Sequence, residues 1–482
     1  MITLFKHQKE GIIFLTEKRK AILADQMGLG KTRQAIVAAE NLGITNLVLC
    51  PASLKTNWAR EILSVNEQAN ITILSGSKEE PYSQGFSSKW LIVNYDIVYK
   101  KENYEKIKNG GFETVILDEA HYIKNHGSKR TKATLTLVAA IRNRFLLTGT
   151  PIMNRPEELY TLLKAIDHPL GASWYSYVLR YCGAYWRRTR KMKMNPHTGQ
   201  MEEIKFLDTS GATNLPELQS KLQTAYLRRT KEILGETLPA KIISNVFVEL
   251  SKEDRKKYEI AWDEYMNYLE NNPIIFSDMT EEEKKEKMEN IIQARHLVEL
   301  QKLKQVASHA KLERIIEDVQ NIIEQGEKII IFTQYTETLR NLRGELRKAG
   351  VLAVTLSGED DQTARQCSID QFQRNQNVKV FIGNIKAAGV GITLTAASTV
   401  IFADLEWTPA LHEQAMDRAH RIGQGRQVNV YYYIAKDTIE EHIVKVLGIK
   451  NEIINKILEG KKERITSQSV MTMLLKEISK NI

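Results

Sequence analysis

Two short clusters in this 482-residue chain have the residue types and order that phosphate chemistry requires. The first runs Asp25-Gln26-Met27-Gly28-Leu29-Gly30-Lys31-Thr32. A flexible Gly28-Leu29-Gly30 turn lets backbone N–H groups point at the β-phosphate of a nucleotide, and a helix beginning at its end adds a favourable dipole. Lys31 would then neutralise the β- and γ-phosphates of ATP, and Thr32 would hold Mg²⁺. Asp25 stands where the usual GxxxxGKT pattern has its first glycine, and the expectation is that it too lines the nucleotide site. The second cluster is Asp118-Glu119-Ala120-His121. Asp118 suits Mg²⁺, directly or through water, and Glu119 is placed to orient or deprotonate the attacking water. Alone, this tetrapeptide also reads as a solvated strand end; after a phosphate loop in a matching βα pattern the hydrolytic reading prevails.

Both clusters need strands to present them and helices to cover those strands. From Ala21 to Thr150 short apolar runs alternate with amphipathic stretches, and AILA, NLVLC, WLIVNYD, TVILDEA and RFLLTGT read as strands. AILA leads into the phosphate loop and TVIL into Asp118, so both clusters emerge at the C-terminal edge of a parallel sheet, where ligands bind in this architecture. The rhythm returns after Lys328 with KIIIFTQY, VLAVTL, VKVFIGN, TVIFAD and VNVYYYI, and a helix from Thr336 to Ala349 stops at Gly350. The expected fold class is α/β, with two parallel-sheet lobes and helical insertions between them. Arg155 to about Gln325 reads mostly as helices, and Thr280 to Asn290 as a solvated helix face or a mobile tip without a function. The expected divisions are lobe one at 1–165, a helical protrusion and connector at 166–240, a second helical protrusion at 241–325, lobe two at 326–450, and amphipathic C-terminal helices at 451–482.

Together DQMGLGKT, VILDEAHYIKN, LLTGTPIMN and QAMDRAHRIGQ resemble the Swi/Snf-type ATPases of helicase superfamily two. The resemblance spans nearly the whole chain. LRRTKEILGETLPAK, Leu227 to Lys241, is similar to the connector between the lobes in that family, and DEAH followed by Tyr122-Ile123-Lys124-Asn125 is similarly distinctive. NIKAAGVGITLTAA and FADLEWTP look closest to the distant branch that contains the annealing helicases, which rewind DNA and remodel forks.

The resemblance implies two RecA-like lobes and roles for further residues. Gln8 would contact adenine, with Gln414 also assigned to the nucleotide site, and Thr148, Gly149 and Thr150 would sense closure. Arg418 and Arg421 look like arginine fingers that stabilise charge on the transferring γ-phosphate; three apart, they share a face if the segment is helical. With the phosphate loop on one lobe and the arginines on the other, ATP completes its site only when the cleft closes, and alternate closing and opening becomes stepping. Candidate backbone contacts fall at Pro51 to Lys55, Asn94 to Asp96, Thr333-Gln334-Tyr335, Ser357-Gly358 and Lys386. Independently of the family, Tyr185 to Lys193 sets two aromatics beside Arg187, Arg188, Arg190, Lys191 and Lys193, a patch that suits nucleic acid and equally a solvated basic loop.

Bulk composition sets the outer bounds. There are 68 Lys plus Arg against 59 Asp plus Glu, a net +9 that suits an anionic partner without demanding one. Cys50, Cys182 and Cys367 lack paired spacing, which argues against a disulfide framework or zinc site and for an intracellular setting. No apolar run approaches the roughly 20 residues that span a bilayer. The expected activity is a DNA-dependent ATPase that translocates on double-stranded DNA, branched DNA included. An RNA helicase and a nucleotide-dependent DNA scaffold are the alternatives.

Overall fold

Every apolar run singled out above becomes a strand. In chain order the first strands are β1 (Lys20–Leu23), β2 (Asn46–Cys50), β3 (Ile71–Ile73), β4 (Trp90–Asn94), β5 (Thr114–Leu117), β6 (Asn143–Leu147), β7 (Tyr185–Met194) and β8 (Met201–Asp208). There follow β9 (Tyr226–Leu227), β10 (Lys241–Val248), β11 (Ile329–Thr333), β12 (Ala353–Leu356), β13 (Val380–Asn384), β14 (Thr399–Phe402) and β15 (Val428–Ala435). The computed structural model describes residues 4–43, 45–74, 89–149, 156–194, 201–209, 211–271, 300–388, 391–445 and 447–448. The expectations for Thr150, for Thr280 to Asn290 and for 451–482 lie outside the described residues.

Lobe one is a sheet in the order β3-β4-β2-β5-β6-β1-β9 and lobe two a sheet in the order β10-β15-β14-β11-β13-β12. Every pair in both is parallel. Alternate residues of a strand face opposite sides, so a sheet covered on both faces needs strands that are apolar throughout. In lobe one Ile22, Leu47, Leu49, Val115 and Leu117 pack on one face, and Ala21, Leu23, Val48, Ile116 and Phe145 on the other. Lobe two repeats the division, with Ile330, Phe332 and Val400 on one side and Ile329, Ile331 and Ile401 on the other. Each such Val, Leu, Ile or Phe side chain contributes about 1.5–3 kcal/mol on burial.

Sheet order fixes where the chemistry emerges. β6 lies between β1 and β5, with Leu23 paired to Leu147 and Leu117 to Leu146, so the three strands end level. Asp25 to Thr32 and Asp118 to His121 therefore leave the same edge, with Thr148 and Gly149 between them. Three helices matter for the site: α1 (Lys6–Lys18), α2 (Lys31–Leu42) and α3 (Lys55–Val65).

The expectation of mostly helix between the lobes is corrected in three places. β7 and β8 form an antiparallel hairpin with an irregularity between Arg188 and Met192. Its charge-rich sequence masks the alternation that marks a strand. β9 adds to the lobe-one sheet beside β1, too short to show any period. β10 adds to the lobe-two edge beside β15, and its exposed Ile242, Ile243 and Phe247 are the cost of having only one neighbour. Helix is right for Lys252–Asn271, 300–309 and Leu312–Glu324.

Candidate active site

The phosphate loop takes the shape that its glycines permit. Gly28 and Gly30 sit at φ 87° and 77°, a left-handed region that glycine enters freely, and Gly30 caps α2. Lys31 then opens the helix, and its Nζ donates to Asp25 O at 2.7 Å and Gln26 O at 3.4 Å. Burial pulls its pKa down, against the opposing fields of Glu119, Asp25, Asp118 and Asp417. Thr32 follows on the first turn of α2. Leu29 is fully buried, and its carbonyl faces His7 Nε2 at 3.0 Å and the amides of Gln34 and Gln8 at 3.2 and 3.4 Å. Gln8 is held against the loop by α1, its Oε1 accepting from Phe5 N.

Asp25, expected to line the nucleotide site, meets the Lys31 ammonium through its carbonyl and turns its side chain to the connector. Its carboxylate is fully buried beneath the loop and takes two bonds from Arg229, Nε to Oδ1 at 2.9 Å and Nη2 to Oδ2 at 2.6 Å, plus one from Gln34. This forked pairing is specific to arginine geometry. The aspartate at that position thus ties the phosphate loop to the connector.

On the neighbouring strand end Asp118 is buried, with Oδ1 accepting from Glu119 N at 2.9 Å and Oδ2 from Trp58 Nε1 at 2.7 Å. Burial raises its pKa to about 6, helped by Glu119 and opposed by the Trp58 bond and Lys31. Glu119 is raised too, by burial, against Lys31 and Arg418. Its backbone is left-handed at φ 48° and ψ 52°, an uncommon state for a side-chain-bearing residue that turns the carboxylate away from the strand line. His121 Nδ1 approaches Glu119 Oε2 at 3.3 Å without hydrogen-bond geometry, and burial holds this imidazole neutral, with a pKa of about 4. Glu119 Oε2 is thus a buried acceptor without a donor among the described residues. Gly149 lies beside the ammonium: a Cβ added there would come within 3.5 Å of Lys31 Nζ. Thr148 is buried and its N–H donates to Leu23 O at 3.2 Å.

Lobe two brings Arg418 and Arg421 to this edge, but not from a helix. Helix Pro409–Met416 ends before them, and both stand on the turns that follow. They still converge, because Arg418 Nη1 and Arg421 Nη1 both donate to Ile392 O, at 3.3 and 3.4 Å; Arg421 also reaches Thr393 Oγ1 at 2.9 Å. Burial brings Arg418 down to about 10, against Glu119, Asp417 and Asp118. Arg421 faces the loop directly: a Cβ on Gly28 would sit 3.0 Å from Arg421 Cβ. Gln414 is buried on the preceding helix, and its carbonyl accepts from Arg418 Nε at 3.1 Å.

Arg229 and Lys231 were not singled out in the sequence, although both lie in the LRRTK segment. Lys231 N donates to Gln26 Oε1 at 2.8 Å, while its ammonium meets Asp417 Oδ1 at 2.5 Å and also the carbonyl of His420. Leu234 and Leu238 pack on Leu29, with Ile422 joining them. The connector therefore touches the loop on one side and the arginine segment on the other.

The candidate DNA contacts fall into two groups. Lys55 is buried, with Nζ donating to Leu74 O at 3.0 Å. Asn94 is buried at the end of β4. Thr333 Oγ1 donates to Asp404 Oδ2 and Gln334 N to Asp404 Oδ1, while Ser357 N donates to Asp360. These shape loops at strand ends. Lys386 is exposed and pairs with buried Glu406 at 2.7 Å, and Arg187 is exposed 3.6 Å from Asp208. The Arg188 backbone pairs with Lys205 in the hairpin; its side chain lies outside the described residues.

Comparison with known proteins decides the family. The family model described as SNF2-related domain matches residues 7–312, and the helicase conserved C-terminal domain matches 310–423. The chain belongs to the SNF2-related family. It is 32% identical over 476 residues to a Mycoplasma pneumoniae protein named uncharacterized ATP-dependent helicase, covering 95% of this chain and 42% of that one. It is 29% identical over 478 residues to the human DNA annealing helicase and endonuclease ZRANB3, covering 96% and 41%. A third relative, from Caenorhabditis elegans, is named a homolog of SWI/SNF-related matrix-associated actin-dependent regulator of chromatin subfamily A-like protein 1. It is 29% identical over 464 residues, covering 94% of this chain and 62% of its own. The SNF2-type chain thus spans less than two thirds of the length of these relatives. Among its described residues no helix is long and apolar enough to cross a membrane.

Proposed function

We propose that this SNF2-type chain hydrolyses ATP and uses the cycle to move along double-stranded DNA. The observation that carries the proposal is the composite site: Lys31 of lobe one and Arg418 of lobe two both act on Glu119, and Arg421 of lobe two lies against Gly28 of the phosphate loop. Lys31 would neutralise the β- and γ-phosphates, the amides of Gly28 to Lys31 would cradle them, and Gln8 would lie toward the base. Glu119, whose buried Oε2 has no donor among the described residues, orients the attacking water and accepts its proton. The two arginines balance charge on the transferring phosphoryl group, and their loss costs about 10³–10⁵ in rate in comparable enzymes.

Mg²⁺ fits this site. A hard cation that prefers oxygen ligands suits buried Asp118 at the strand end and the Thr32 hydroxyl on the first turn of α2. Asp118 and Thr32 would hold it, and when bound it neutralises phosphate charge as a Lewis acid. The name of ZRANB3 supports DNA over RNA and extends the proposal to annealing or remodelling of branched DNA. The free cysteines Cys50, Cys182 and Cys367 support an intracellular setting.

The test combines triplex displacement from duplex DNA with ATPase assays on duplex DNA, single-stranded DNA and RNA. Triplex displacement with ATP and stimulation by duplex DNA are expected, and stimulation by RNA alone would overturn the reading. Lys31→Ala and Glu119→Gln should each abolish turnover and leave duplex binding intact.

A further inference from the structure

Helix α3 touches both halves of the molecule. On its outward side Thr56 Oγ1 accepts from Gln362 Nε2, Arg60 lies 3.8 Å from Asp370, and Glu61 contributes to the field at Arg421. Leu54, just before the helix, is buried so close to Gly391 of lobe two that a Cβ on that glycine would overlap it. An exposed pair such as Arg60–Asp370 is worth little. The apolar contact at Leu54 is the firmer part of this seam.

On its inward side the helix carries Trp58, fully buried, whose Nε1 donates to Asp118 Oδ2 at 2.7 Å. A buried indole N–H needs an acceptor, and here the acceptor is the acid that would hold Mg²⁺. Glu119 N grips the other oxygen. Two fixed donors stop the carboxylate from rotating. One donor belongs to the strand end; the other rides on a helix whose outer side rests on lobe two.

We propose that Trp58 is a positioning residue for Asp118, and that α3 makes the placement of this carboxylate depend on contact between the lobes. The inference rests on the assignment of Asp118 given above. When lobe two withdraws, the helix loses its contacts at Leu54, Thr56 and Arg60, and the Trp58 donor is free to shift with it. The acid is then held by its own strand end alone. Nucleotide hydrolysis is thereby tied to closure from the lobe-one side as well as through the arginines of lobe two.

The test is equilibrium binding of a fluorescent ADP analogue with Mg²⁺ and with EDTA, alongside turnover with and without duplex DNA. Trp58→Phe keeps the ring and removes the donor. It should leave metal-free binding unchanged while losing roughly tenfold of the affinity that Mg²⁺ adds, the range seen when partners of metal ligands are removed. Duplex-stimulated kcat should fall by a similar factor at unchanged KM. A variant that keeps the Mg²⁺ gain, or that loses metal-free and metal-loaded binding equally, shows Trp58 to be a core filler and overturns the inference. Thr56→Asp/Arg60→Asp, which sets two carboxylates against Asp370 and so opposes the whole seam, Leu54 included, tests the coupling even if Trp58→Phe does not fold. Its basal turnover should be unchanged and its duplex stimulation several-fold lower; full stimulation overturns the coupling. Absence of any Mg²⁺ gain in the unaltered chain would instead remove the assignment of Asp118 itself.

Discussion

A buried imidazole that stays neutral makes stability sensitive to acid, and His412 shows this in isolation from the pocket. It packs against Phe402 and Tyr432, and its Nε2 accepts from Glu406 N at 3.0 Å. Burial lowers its pKa from 6.5 to about 4, with Lys304 adding to the effect and Glu406 and Glu413 opposing it. The folded value lies below the unfolded one, so between pH 6.5 and 4 the unfolded chain binds this proton and the folded chain does not. Stability from this source is complete above pH 6.5 and is lost as the pH falls, by about 2 kcal/mol at pH 5 relative to pH 7. His412→Phe cannot take up the proton. Urea unfolding of both proteins at the two pH values should give the variant the smaller acid loss by that amount; equal losses would show that His412 is not the source.

At the scale of elements the connector does more than join the lobes. Leaving β9 at the edge of one sheet and entering β10 at the edge of the other, it gives Arg229 to Asp25 below the phosphate loop and Lys231 to Asp417 beside Arg418. Removing one partner of a buried pair leaves a charge without compensation and costs about 3–5 kcal/mol. Lys231→Met should accordingly slow duplex-stimulated turnover by roughly tenfold or more, and Asp417→Leu likewise, while the double variant should recover part of the loss, since coupled sites are non-additive. Steady-state kinetics of the three variants check this; additive losses would mean that the pair does not hold the arginine segment. The connector also marks the boundary of what the sequence disclosed. The core strands were legible because a parallel sheet demands uninterrupted apolar runs such as NLVLC, and the phosphate loop because glycines and lysine keep a fixed order. Nothing local in Asp25 or Lys231 announces a partner about 200 residues away, a distance set by chain topology alone. The hairpin stayed hidden because its charge-rich sequence shows no apolar alternation.

For the whole molecule the proposed cycle requires that the gap between Gly28 and Arg421 open and close with the state of the nucleotide. A triphosphate favours closure only by the difference in its affinity for closed and open forms, and about 1.4 kcal/mol of preference shifts the ratio of the two by a factor of ten. In the proposed site the terminal phosphate would supply that preference, with Lys31 reaching it from one side and the arginines from the other, whereas a diphosphate would end before the arginines. Dyes at Tyr99 of lobe one and Leu352 of lobe two, both about half exposed, would report the separation once exposed Cys367 is changed to serine; Cys50 and Cys182 are buried and out of reach of the label. With a non-hydrolysable ATP analogue and duplex DNA the transfer efficiency should settle at a single high value, and with ADP it should fall or split. Arg421→Ala should remove the difference between the two nucleotides while leaving analogue binding to lobe one in place. Identical efficiencies with both nucleotides in the unaltered chain would mean that the lobes do not move with the γ-phosphate, and stepping along DNA would then have no source of displacement.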